Sequence, residues 1–224
     1  MKKIIFSFFC LVSLAISCSK NDNPSTPVAS AVKYMTTTQG SAWNYESIDN
    51  VAVSTSLYLI TSTSRDSTVN GRLYHVYTNS SNNASEYYNI AGGDYYSYQN
   101  LPASVGGSKA ENLYLKENVD VNTSWNQSYN ITVSGVPVTV TLTNKITEKG
   151  INRTVNGIAY SNVIHVQTSL AAAGVPSSSL TSDIQSYYAP KVGLIENTTK
   201  INLNYLGVVS NTDTQIKLKT STIL

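Results

Sequence analysis

The sequence predicts an all-β protein: an antiparallel, strongly curved sheet or incomplete barrel, built from two related halves and holding at most one short helix. Three observations carry this. Apolar and hydroxyl residues alternate in Val136-Pro137-Val138-Thr139-Val140-Thr141-Leu142-Thr143, the period of a strand with one wet face. Two Asn-Gly pairs, Asn70-Gly71 and Asn156-Gly157, sit between β-forming stretches and mark hairpin turns. The composition is rich in Tyr (16) and poor in Phe (3), with only 12% charged residues. Such a chain suits sheets that meet water through Thr, Ser, Asn and phenolic rings.

Taken in chain order, Ser56–Thr61 reads as a strand, and Thr68-Val69-Asn70-Gly71 closes a hairpin. Leu73–Tyr77 continues as a strand that holds His75. Tyr87-Tyr88 and Tyr95-Tyr96 flank Ala91-Gly92-Gly93-Asp94, with Tyr98 following, as in a tyrosine-rich hairpin. Ser134-Gly135 predicts another turn, which places Pro137 near a strand start or edge. Val163–Val166 is a strand around His165, and Ile201–Tyr205 alternates as a strand. The one helix expected spans Ser179 to Tyr188: Ser179 can cap it, and Leu180, Ile184 and Tyr187 recur at helical spacing.

Several motifs occur twice, in the same order. Gly40-Ser41-Ala42-Trp43-Asn44 is echoed by Asn122-Thr123-Ser124-Trp125-Asn126. Thr68–Tyr74 is echoed by Thr154–Tyr160, His75-Val76 by His165-Val166, and Tyr87-Tyr88 by Tyr187-Tyr188. This predicts two halves, residues 33–117 and 118–224, related by an internal duplication.

The start of the chain has a different character. Lys2-Lys3 precede an apolar run from Ile4 to Leu14, too short to span a bilayer, and Ala15-Ile16-Ser17-Cys18 follows. These residues resemble the lipobox of bacterial lipoproteins. The resemblance implies a signal peptide over 1–17, cut before a lipidated, palmitate-bearing Cys18. Ser19-Lys20-Asn21-Asp22-Asn23 resembles the Lys/Asp tag of surface-exported lipoproteins of Bacteroidota, and Pro24-Ser25-Thr26-Pro27 continues a polar tether over 18–32. Cleavage would remove Lys2 and Lys3 from 15 basic residues and leave 13 against 13 acidic ones, a net charge of zero. With three scattered arginines, the mature chain has no basic face for nucleic acid.

The β body carries a resemblance as well. Its Gly-x-x-Trp openings, Val-Asn-Gly hairpins, paired tyrosines, and the Tyr187-Tyr188-Ala189-Pro190-Lys191-Val192-Gly193-Leu194-Ile195 stretch resemble Bacteroidota envelope lipoproteins of unknown function. That implies an outer-membrane lipoprotein, displayed on the cell surface, whose partner is the membrane through Cys18. Some such families form curved sheets that carry lipids.

Chemistry is thinly marked. Cys10 and Cys18 both precede the body, so the body has no disulfide and no thiolate site. His75 and His165 occupy matching places, where a symmetric pair could bridge a metal or supply a general base, but no acidic cluster accompanies them in sequence and no metal or cofactor is expected. The carboxylates are scattered, and no Gly-x-Ser-x-Gly elbow or phosphate loop is present. Asp66-Ser67-Thr68 resembles the O-glycosylation triplet of exported Bacteroidota proteins, with Ser67 as acceptor. The leading candidates for a ligand site are Tyr87, Tyr88, Tyr95, Tyr96, Tyr98, Tyr187 and Tyr188; of each adjacent pair, at most one ring can enter the core. The expected function is a non-enzymatic module that binds glycan or protein. The alternatives are a lipid carrier and, more remotely, a hydrolase.

Overall fold

Twelve antiparallel strands form one sheet in the computed structural model, which describes residues 33–100, 109–133 and 136–224. Cys18, its flanking signal and tether, and the Ser134-Gly135 turn lie outside the described residues. The strands are β1 (Ala42–Asp49), β2 (Ser54–Val69), β3 (Arg72–Asn79), β4 (Ala84–Ala91), β5 (Asp94–Asn100) and β6 (Lys109–Lys116). There follow β7 (Ser124–Val133), β8 (Val136–Val155), β9 (Ile158–Ala172), β10 (Leu180–Ala189), β11 (Gly193–Tyr205) and β12 (Val208–Thr222). The order across the sheet is β6-β5-β4-β3-β2-β1-β12-β11-β10-β9-β8-β7. Two six-stranded meanders are thus joined by the β1–β12 ladder, and the sheet curls into a nearly closed barrel with a seam between β6 and β7.

Local chemistry explains the hairpins. Asn70-Gly71 and Asn156-Gly157 adopt φ of 50° and 80°, and 49° and 80°, the two positive values that a type I′ turn requires. The repeated motifs fall on strands six apart: Trp43 on β1 and Trp125 on β7, His75 on β3 and His165 on β9, Tyr87-Tyr88 on β4 and Tyr187-Tyr188 on β10.

The helix expected over Ser179–Tyr188 is absent; these residues are almost all in β10, paired with β9 on one side and β11 on the other. Its sequence satisfies both periods. Leu180, Ser182, Ile184, Ser186 and Tyr188 fall on one side of a strand as readily as Leu180, Ile184 and Tyr187 fall on one side of a helix. Two waiting strand edges decide between them.

The interior is packed across its width. One cluster joins Trp43, Tyr45, Ile60 and Tyr77 to Val155, Val163, Ile195 and Leu218; a second joins Tyr95, Leu115 and Trp125 to Ile146, Ile164, Val166 and Tyr188. Edge-to-face tyrosines link Tyr77 to Tyr88 (centroids 5.2 Å apart) and Tyr88 to Tyr114 (6.1 Å). Tyr114 then meets Tyr188 of the other meander at 5.6 Å. The Trp43 indole donates to the Val192 carbonyl (2.7 Å) and the Tyr45 hydroxyl to that of Leu194 (2.8 Å). An acyl chain in this interior would have to displace these rings. Burial holds the Tyr45, Tyr88 and Tyr114 hydroxyls well above the ordinary phenol range, with neighbouring tyrosines adding to it at all three and Glu86 at Tyr45 and Tyr88, and pushes Tyr188 up to about 12.

Residues 33–41 close one end of the barrel. The Lys33 carbonyl accepts from Lys191 N–H (2.7 Å), Tyr34 N–H donates to the Tyr95 hydroxyl (2.8 Å), and the Tyr77 hydroxyl donates to the Thr36 carbonyl (2.7 Å).

Candidate functional site

Strand alternation sorts the seven candidate tyrosines. Tyr88, Tyr95 and Tyr188 enter the packed interior, so they do not present a ring to an external ligand. Tyr87, Tyr96, Tyr98 and Tyr187 are half-buried and alternate with them along the strands, Tyr187 also packing against the first core cluster.

These four divide again by what already covers them. Tyr187 stacks on His165 (centroids 4.1 Å apart, 13° between planes) and takes the Arg153 guanidinium 3.3 Å from its centroid. Arg153 is itself held by Glu196. With an imidazole and a guanidinium against it, this ring is a strut between strands. Tyr96 has one face under the Arg72 guanidinium at 3.6 Å. Tyr87 and Tyr98 pair across β4 and β5 (6.4 Å, 78°), Tyr98 leans on Tyr74 (5.9 Å), and the Lys109 ammonium stands 5.6 Å above Tyr87. Around them, Arg72 Nε donates to Glu111 Oε2 (2.8 Å), the buried Tyr74 hydroxyl also donates to Glu111, and Asn89 Nδ2 donates to the Leu73 carbonyl (2.8 Å). The result is a platform on β3–β6: phenolic rings bordered by a guanidinium, an ammonium, a carboxylate and an amide. Arg72, Asn89, Lys109 and Glu111 were not singled out by sequence. Arg72 carried a usable signal, being one of three arginines and adjoining an Asn-Gly turn; Glu111 is brought in only by the pairing of β5 with β6.

The two histidines do not form a symmetric site. His75 is paired with Tyr88, the second tyrosine of its pair, whereas His165 is paired with Tyr187, the first of its pair. That one-residue difference in register reverses the face. His75 shares the inner face with Tyr77 and Tyr88; His165 faces away from Ile164, Val166 and Tyr188. Each has nonetheless found a carboxylate: His75 Nδ1 lies 2.8 Å from Asp66 Oδ1, and His165 Nδ1 lies 2.9 Å from Glu148 Oε2. Both acids stand across the ladder, beside register shifts in β2 and β8. No group of three or more His, Cys, Asp or Glu able to hold a metal occurs among the described residues.

On the far side of His75, Nε2 lies 2.9 Å from Ser62 Oγ, which completes a Ser–His–Asp chain. Distances alone would suit an activated nucleophile. Access does not. Ser62 is 1% exposed, its hydroxyl reaches the Thr37 carbonyl (3.2 Å), and the N–H groups of Gly40, Ser41 and Ser62 are all given to backbone carbonyls. No donor in this set is free for an oxyanion. In the other half the same relay ends on Gln185 Oε1, 2.6 Å from His165 Nε2, and an amide cannot attack.

Ser67, the expected glycan acceptor, is half-buried in the β2–β3 ladder opposite Tyr74, and its neighbour Asp66 is held by His75.

No protein-family model matches this chain, and no curated protein matches it. Among solved structures, it is similar to a candidate lipoprotein from Parabacteroides distasonis, at 13% identity and a TM-score of 0.50. That likeness covers 86% of this chain and 100% of the other. A candidate exported protein with a YmcC-like fold from Bacteroides fragilis aligns at 6% identity and a TM-score of 0.47, over 84% of this chain and 98% of its own.

Proposed function

We propose that this chain is an extracytoplasmic lipoprotein, anchored through Cys18 in the outer membrane and displayed at the surface. In this reading the body is a glycan-binding module whose ligand lies on the Tyr87–Tyr98 platform. The address is supported by the lipobox-like Ala15-Ile16-Ser17-Cys18, the tag-like residues after it, and the shared fold with a candidate lipoprotein. The ligand reading is carried by one observation: Tyr87 and Tyr98 keep ring area on the wet face while Arg72, Asn89, Lys109 and Glu111 border them with donors and acceptors. Flat aromatic area edged by planar hydrogen-bonding groups suits the alternating C–H and hydroxyl faces of a sugar. The packed interior gives the carrier alternative no comparable support.

Two measurements test the two parts. Metabolic labelling with palmitate should mark the full chain and fail on Cys18→Ser; equal labelling would refute the anchor. Binding of the full chain to a panel of envelope and host glycans should occur and drop at least tenfold with Tyr87→Ala or Tyr98→Ala. Binding that survives both changes, or an empty panel, removes the platform as a glycan site. Binding to a protein surface instead would reassign it.

A further inference from the structure

The end of the barrel opposite residues 33–41 differs from the rest of the molecule in charge, edge and backbone. The described turns there are 50–53, 80–83, 173–179 and 206–207. No Asp, Glu, Lys, Arg or His occurs within 50–64, 76–85, 167–182 or 201–212, which include those turns. A carboxylate borders them, that of Asp49, which accepts from Val51 N–H and Ala52 N–H (both 2.9 Å), whereas the turns at the other end carry or adjoin Arg72, Asp94, Lys116, Glu117, Asp120 and Lys191.

At this neutral end β12 outruns its neighbour. β1 stops at Asp49, opposite Thr214, and Asn50 N–H donates to the Asp213 carbonyl (2.8 Å). From Val208 to Thr212, β12 is paired with β11 alone among the described strands, and residues 206–211 are all exposed. A β edge with neither charge nor proline lacks the usual protection against pairing with another strand.

Among the described residues, eight non-glycine residues have positive φ: five are Asn, one is Lys191, and two are apolar. Those two are Val53 (φ 51°) and Leu206 (φ 49°), which are 89% and 85% exposed. Leu206-Gly207 repeats the turn geometry that Asn70-Gly71 and Asn156-Gly157 adopt with the residue best suited to it. A branched apolar residue in this conformation is doubly unfavourable in water, strained and unburied. Both cases occur here, at the tips of the β1–β2 and β11–β12 hairpins, whose strands β1 and β12 are neighbours.

We propose that this end is an interface between two copies of the chain, in which the free β12 edges pair antiparallel across a two-fold axis. Antiparallel pairing of one strand with itself is two-fold by construction, so the same surface serves both partners. The partner's β12 then lies beyond the end of β1, in the same lane and running the same way. That geometry sets the partner's Leu206-Gly207 tip against the Asn50–Val53 turn, and the converse contact follows by symmetry. One contact would therefore satisfy the open edge and bury both strained apolar residues. Apart from Asp49, whose carboxylate is taken up by its own turn, these turns meet their copies without charge.

The test is sedimentation velocity of the full chain in a neutrally buoyant detergent, over a concentration series. The expected result is a dimer that Val209→Lys turns into a monomer of unchanged circular dichroism. Leu206→Asn, which suits the turn and so cannot act through misfolding, should weaken association about tenfold. A monomer at every concentration overturns the proposal, including one whose tips bind vesicles or a foreign peptide. A dimer indifferent to both substitutions also overturns it.

Discussion

The two meanders meet twice, and by different means. At β1–β12 they share a backbone ladder of eight residue pairs, Ala42↔Thr222 to Asp49↔Thr214. At β6–β7 the described residues form no such ladder, and side chains of β7 take its place. Trp125 Nε1 donates to the Leu113 carbonyl (2.8 Å), and the Tyr129 hydroxyl donates to that of Glu111 (2.9 Å). Between them Gln127 does both jobs of a peptide unit: its Oε1 accepts from Leu113 N–H (2.7 Å) and its Nε2 donates to the Glu111 carbonyl (2.7 Å). Alternation puts 125, 127 and 129 on one side of β7, so three side chains serve as a ladder that the backbones do not make. A barrel can thus close on side chains that stand in for peptide groups. Such a closure depends on a few residues, whereas a ladder is spread over a whole strand.

The largest expected effect strikes the ladder side. Leu218 is fully buried on β12, so Leu218→Ala should cost about 2–5 kcal/mol, read as a lower denaturant midpoint with unchanged slope. A loss confined to local exchange would show that the β1–β12 junction does not govern the whole fold.

Alkali should attack both sides together, because their shared interior is phenolic. Tyr188 titrates near 12 in the fold against about 10 in the unfolded chain. Its contribution is complete below pH ~10 and falls with rising pH through the folded value, since the unfolded chain then binds fewer protons; each pH unit in that window costs roughly 1.4 kcal/mol. Phenolate absorbance should therefore appear in two stages, the later one coinciding with unfolding. A single smooth titration of all tyrosines near pH ~10 would contradict the packed interior.

The seam should fail alone. Gln127→Leu keeps the bulk, leaves Leu113 N–H without its partner and leaves the Glu111 carbonyl to the Tyr129 hydroxyl alone, at about 1–3 kcal/mol. Hydrogen exchange at Leu113 should accelerate while exchange at Lys217, in the ladder, holds. Equal acceleration at both would mean that seam and ladder open as one unit.

The smallest effect has the opposite sign. Leu206→Asn relieves the strained turn and should raise stability by about 0.5–1 kcal/mol, seen as a higher melting temperature under dilute conditions where association is negligible. A drop would mean that Leu206 packs within its own chain.

Much of this was legible in sequence. Alternation and Asn-Gly turns announced the antiparallel strands, because period and turn chemistry are local properties of the chain. The adjacent tyrosines had to split between faces for the same reason. Ser179–Tyr188 marks where local periods stop being informative: helix and strand both fit, and the strands on either side chose. The platform was half visible. Tyr87 and Tyr98 stood out by composition, while Glu111 and Lys109 reach them only through the pairing of β5 with β6.

Neighbouring residues alone were enough to dictate antiparallel sheet, where its hairpins turn, and how charge is spread along the chain. Tertiary structure alone decided that His75 and His165 face opposite ways, that Tyr88, Tyr95 and Tyr188 leave the surface, and that Gln127 closes a barrel. Each of those depends on register between strands far apart in sequence, and a shift of one residue would have reversed it.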